Sequence, residues 1–140
     1  MTRINLVPPK ELSDQHLIAE YHELPRIIKQ PISILDAPYQ YTLGKGHMKW
    51  AKLYSASIIR RYYELYNEMV YRGFKPRYHW QDLFTLWSNQ AEQDISLYYP
   101  STKDIEVSRQ RLIEKYLLKP DFYRWTKRIK PSYYKDYSHD

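Results

Sequence analysis

At 140 residues the chain has the length of one domain, long enough to bury a core without metal or disulfide staples. It has no cysteine, which excludes a disulfide framework, a thiol nucleophile and a cysteine-based zinc site. A net charge of +6, from 22 Lys and Arg against 16 Asp and Glu, favours polyanionic partners, and no run approaches the roughly 18 apolar residues of a membrane span.

Arg3, Asn5 and the Pro8-Pro9 pair make an extended lead-in, without the apolar middle of a signal peptide, so an intracellular, cytoplasmic protein is expected. Ser13 is placed to cap a helix over DQHLIAEYHELPRIIKQ (14–30). Leu17, Tyr21, Leu24 and Ile28 recur at steps of 4, 3 and 4, which predicts one buried stripe. His16, Glu23 and Arg26 share the opposite face, flanked by Gln15 and His22, and Pro25 predicts a kink or an earlier end. The segment 30–43, with two prolines, reads as a loop. A long helix is expected after Gly46, over 47–73, with Ala51, Tyr54, Ile58, Tyr62, Leu65 and Met69 as its core stripe and Gly73 as its stop. Within 75–100, QDLFTLWSNQ suggests a short helix. The last helix spans about 102–118, with Ser101 and Asp104 in capping-box spacing and Pro120 beyond its end; Arg111 and Lys115, four apart, project together. The expected fold is all-α, one compact domain over 1–140 with about three main helices and the N-terminal segment packed near the first.

Aromatic residues make up 16% of the chain and stand beside basic ones in RRYYELY (60–66), KPRYHW (75–80) and DFYRWTKR (121–128). Such interleaving suits nucleic acid, where rings stack on bases and cations meet phosphates; it also suits a tyrosine-filled helical core. The five histidines show no ligand spacing, so no metal or other cofactor is expected. GKGH (44–47) could hold a phosphate on its backbone amides or serve as a turn into a helix. Glu23, amid His16, His22 and Arg26, is either a site carboxylate or a solvated ion-pair partner.

The N-terminus weighs on that choice. Methionine aminopeptidases remove Met1 before a small residue, which would leave Thr2 with a free α-amine. Its ordinary pKa of about 7.7–8.0 makes it a far better nucleophile at neutral pH than lysine at about 10.4. Attack on the anomeric carbon of a deoxyribose would expel the base and form an imine, and Glu23 could then stabilise charge and abstract the proton that drives β-elimination.

The segments MTRINL, ELSDQHLIAEYHELPR (11–26), LGKGHMKW (43–50), YNEMVYRGF (66–74) and SRQRLIEKYLLKPDFY (108–123), in this order, closely resemble the small pyrimidine-dimer DNA glycosylase/AP lyases of the phage endonuclease V type. The resemblance implies a metal-independent repair enzyme, a monomer acting on double-stranded DNA that contains pyrimidine dimers or abasic sites. It implies Thr2 as nucleophile and Glu23 as the essential carboxylate. Arg3 and Arg26 match residues that hold DNA near the lesion, Gln15 and His16 line the same site, and Arg111 and Lys115 match a phosphate-contacting pair. Phe122, Tyr123 and Trp125 fall in an aromatic segment tied to DNA and dimer recognition, although packing against the first helix would account for them equally. The chain departs from the pattern at His22, where the family has arginine, and between Arg26 and Gly44, where Lys29 is the only basic side chain. Two other readings stay open: a lyase or glycosylase for abasic sites or another damaged pyrimidine, and a basic helical DNA-binding protein without catalysis.

Overall fold

A computed structural model describes residues 3–90 and 95–137. Among them are five helices and no strand: α1 Asp14–Lys29, α2 His47–Leu53, α3 Ser55–Tyr71, α4 Trp80–Ser88 and α5 Thr102–Leu118. Short 3-10 turns lie at Pro9–Glu11, Pro120–Phe122 and Ser132–Tyr137. The expected all-α class holds, but three main helices is too few.

The extra helices have identifiable causes. The stretch expected as one helix over 47–73 breaks at Tyr54, whose backbone leaves helical geometry at φ −103°, ψ 41°. Its ring packs edge-on to Tyr98 at 5.0 Å and its hydroxyl donates to the Tyr39 carbonyl at 3.0 Å, so the side chain is held by two segments outside the helix. The stripe resumes beyond the break, with Ile58, Tyr62, Leu65 and Met69 all buried. α4 begins at His79, whose ring nitrogen accepts from the Gln81 amide.

α1 starts where expected: Ser13 Oγ accepts from the His16 amide, and Leu17, Tyr21, Leu24 and Ile28 form its buried stripe. Pro25 does not end it. Proline lacks the N–H that the Tyr21 carbonyl would accept, but buried Leu24, Ile27 and Ile28 around it pack well enough to keep the helix running to Lys29. α5 carries the full capping box, Ser101 Oγ accepting from the Asp104 amide and the Asp104 carboxylate accepting from the Ser101 amide.

Two buried charge networks tie these elements together. Glu20 of α1, fully buried, accepts from Arg61 of α3 through both carboxylate oxygens (2.9 and 3.2 Å) and from Asn5 Nδ2 at 2.9 Å, while Arg61 also donates to the Val7 carbonyl at 2.6 Å. Arg72, just past α3, donates to Asp14 and Glu68, each at 2.8 Å. Arg128 reaches Glu68 as well, at 2.8 Å. Burial alone would raise the Glu68 carboxyl, but the guanidiniums of Arg128 and Arg72 hold it below its ordinary range. The N-terminal segment is therefore packed on α1, and the segment after α5 is fixed to the start of α1 through Asp14, which accepts from the Thr126 amide and hydroxyl.

Candidate active site

The polar face of α1 and the face of α5 bearing Arg111 and Lys115 enclose a cleft of about 400 Å³. Asn5 forms part of its wall, and Phe122 and Tyr123 stand at its edge after α5. Spacing explains the assembly: Gln15, His16, Ala19 and Glu23 recur at helical steps on α1, and Arg111 and Lys115 lie one turn apart on α5.

Glu23 is the single acid lining this cleft among the described residues. Its Oε2 is buried and accepts no hydrogen bond, and the Arg26 guanidinium lies 3.2 Å away, more than half exposed. A buried carboxylate oxygen held by one largely exposed guanidinium, with no hydrogen bond among the described residues, is uncommon and calls for an explanation beyond folding. Neither Arg111 nor Lys115 forms an ion pair among the described residues. Arg111 is half-buried, and burial lowers its pKa from the ordinary guanidinium value. The cleft thus has spare positive charge, two cations against one acid.

His16 lies flat against Tyr123, with ring centroids 4.6 Å apart and planes 17° from parallel, and its Nδ1 is 3.0 Å from Ser13 Oγ. Burial, reinforced by Arg111 and Lys115, pushes its pKa down to about 4. A neutral ring at physiological pH serves as a stacking platform rather than a cation. Gln15 accepts from the Arg124 amide at 3.0 Å, which fixes the chain after α5 against the cleft.

The N-terminal segment runs along one side. Arg3 Nε donates to the Leu43 carbonyl at 3.0 Å, and Ile4 borders a narrow seam with Glu20, Glu23, Arg26 and His47. Thr2, expected as the nucleophile, lies outside the described residues, as does His139. GKGH acts as a turn: Gly46 has φ 94°, and a Cβ there would come within 2.8 Å of Pro38 Cγ, so only glycine fits. This turn aims His47 inward, where the ring is buried.

The expected site residues do not all meet. Gln15, His16, Glu23, Arg111, Lys115 and Tyr123 share the cleft, and Arg26 borders the seam beside it. His22 is exposed and lines neither, because position 22 points a full 100° away from 23 on the helix. Trp125 packs inward against Tyr116 and Tyr134 and donates to the Glu11 carbonyl at 3.0 Å, so it is a packing residue here. Sequence reasoning missed Asn5, whose Oδ1 is buried without a hydrogen bond at the cleft wall; Phe122, of the expected aromatic segment, is set beside the cleft by the Pro120 turn. It also missed that His47 is a structural neighbour of the seam; the glycine before it was the available signal.

The two buried histidines have a thermodynamic consequence. Burial also lowers His47 to about 4, with Arg3 and Arg111 adding to the effect and the bond to the Thr42 carbonyl opposing it. Between about pH 6.5 and pH 4 the unfolded chain takes up protons at His16 and His47 that the folded chain refuses. Stability is expected to fall as pH drops through this window, by up to about 1.4 kcal/mol per pH unit for each group, and to change less below it from this source. Urea midpoints at several pH values check this, and a midpoint constant from pH 7 to pH 4 would contradict it.

An all-helical protein with a cation-lined cleft around a single acid belongs to a class suited to polyanions. The particular family is given by sequence: residues 1–82, more than half of the chain, match the model of the family described as pyrimidine dimer DNA glycosylase, and the chain belongs to that family. It is a family of DNA repair enzymes whose substrate is DNA carrying pyrimidine dimers. Among the described residues no group of His, Cys, Asp or Glu is disposed to hold a metal ion, and no helix is long and apolar enough to cross a membrane.

Proposed function

We propose that the protein excises cyclobutane pyrimidine dimers from duplex DNA and cuts the strand at the resulting site, with the α-amine of Thr2 as nucleophile after loss of Met1. The amine nitrogen bonds to C1′ of the damaged nucleotide, and the glycosidic bond breaks as the base leaves that sugar with a proton, still joined to its neighbour through the cyclobutane ring. Ring opening gives the imine. Glu23 then removes a proton from C2′, and the bond from C3′ to its phosphate oxygen breaks by β-elimination. Water hydrolyses the imine and frees the amine. The observation that carries this reading is the Glu23 carboxylate oxygen, buried and paired with the largely exposed Arg26 without a hydrogen bond, at a cleft whose cations, Arg111 and Lys115, form no ion pair among the described residues.

Borohydride is the direct test. Duplex carrying one thymine dimer, or one abasic site, should give a covalent adduct whose peptide map ends on Thr2. Trapping on the abasic duplex alone would favour a lyase of broader or different damage range, and binding of both without trapping would leave a non-catalytic DNA binder. A chain retaining Met1 should lose most activity; full activity from it would remove Thr2 from the chemistry.

The same reading assigns Arg111 and Lys115 to phosphates. Replacing either by alanine should weaken binding for all duplex sequences and reduce the slope of log K against log salt by about 1. Titrations at several salt concentrations would show it, and an unchanged slope would place these cations off the DNA.

A further inference from the structure

We propose that His47, together with Tyr41, is the positioning device for the nucleophilic amine, holding the backbone of Ile4 so that residue 2 is delivered to the cleft. The inference rests on the imine chemistry proposed above and adds residues to which that chemistry assigns no part.

A chain terminus ordinarily frays, yet a nucleophile on a terminus must stand at one place. Here both backbone polar groups of Ile4 are taken by side chains. Its N–H donates to His47 Nε2 at 3.0 Å, and its carbonyl accepts from the Tyr41 hydroxyl at 2.6 Å. The ring itself is set by its other nitrogen, which lies 2.6 Å from the Thr42 carbonyl. A carbonyl can only accept, so Nδ1 carries the hydrogen and Nε2 presents its lone pair to Ile4. Neighbouring bonds extend the hold on either side, from Arg3 to the Leu43 carbonyl and from the Leu6 amide to Ser108 Oγ at 3.0 Å.

A histidine that merely filled the core would need no particular orientation of its nitrogens. This one has both nitrogens on backbone groups, and the acceptor is aimed at the segment two residues from Thr2. Two residues span about 7 Å at most, so fixing Ile4 keeps the amine within that reach of a residue that borders the same seam as Glu23. The charged and titratable groups facing the ring are Arg3 from the N-terminal segment, Tyr41 from the loop, Arg111 from α5, and Glu20, Glu23 and Arg26 from α1. The depressed pKa of His47 keeps Nε2 an acceptor throughout the neutral range.

The test uses the full chain with Met1 removed, verified by mass. Single-turnover trapping with borohydride on a saturating abasic duplex gives the rate constant of imine formation. Affinity is measured in parallel on a duplex with a tetrahydrofuran site, which cannot form an imine. His47→Leu and Tyr41→Phe are each expected to slow trapping 10- to 100-fold, in the range that about 1 Å of misplacement costs, with affinity unchanged within about twofold. His47→Gln, whose amide oxygen can accept from Ile4, should recover most of the rate. A purely structural role would lower the trapped amplitude and the melting temperature, and would leave the rate constant of the folded fraction alone. Should His47→Leu fail to fold, Tyr41→Phe, which removes one hydroxyl, carries the comparison. Wild-type rate constants in the folded variants overturn the positioning role while leaving the imine chemistry standing. A wild-type chain that gives no adduct overturns that chemistry, and the positioning role with it.

Discussion

Glu23→Gln is expected to abolish strand cleavage nearly completely, by about 10²- to 10⁴-fold, while duplex binding stays within a few fold of wild type. Glutamine keeps the shape of the side chain and removes the proton acceptor. Binding should be preserved because a carboxylate contributes nothing favourable to phosphates; its loss, if anything, relieves repulsion in the cleft. The Arg26 ion pair is also lost, but that guanidinium is more than half exposed, so its loss costs little stability. Cleavage of a dimer-containing duplex beside a gel-shift titration separates the two effects. Cleavage at the wild-type rate would remove Glu23 from the mechanism.

Glu20→Ala, three residues earlier on the same helix, should instead unfold the protein or cost about 3–5 kcal/mol of stability. Glu20 is fully buried, and its removal leaves the Arg61 guanidinium inside the fold with the Val7 carbonyl as its remaining partner. Against a typical total of about 5–15 kcal/mol this is a large fraction. Asn5 loses its acceptor in the same step, so the N-terminal segment should loosen as well. Urea unfolding measures the change. Replacing the pair together, Glu20→Leu with Arg61→Met, should recover much of it, because apolar residues of similar volume often substitute for a buried ion pair without loss. A single variant as stable as wild type would show that the network is dispensable.

These two glutamates show what the sequence could and could not tell. The spacing of Leu17, Tyr21, Leu24 and Ile28 marks the buried stripe of α1 directly, and Ser13, Ser101 and Asp104 mark helix starts through bonds local to their own turn. Local rules read local structure. Glu20 and Glu23 have the same chemistry, and what separates them is an arginine 41 residues away for one and a cleft wall from α5 for the other. The break at Tyr54 escaped for the same reason, since its causes lie at Tyr39 and Tyr98. So did the burial of Asp14, Glu68 and Arg72, which a pattern of polar and apolar letters assigns to the surface. Face-sharing on one helix was legible, bringing Gln15, His16 and Glu23 together and leaving His22 at the flank, where it is exposed.

The fastening of Arg124 and Thr126 to Gln15 and Asp14 has a consequence for how the molecule is made. One wall of the cleft is synthesised first, at residues 5–23, and the other only when 111–123 emerge. A nascent chain therefore holds α1, with Glu23, for most of its synthesis without the cations opposite. Contacts spanning more than a hundred residues close late and slowly, since their loop entropy is met before they contribute. The ability to grip nucleic acid at this cleft should accordingly arrive near the end of translation, in one step with the docking of the segment after α5, rather than growing with chain length.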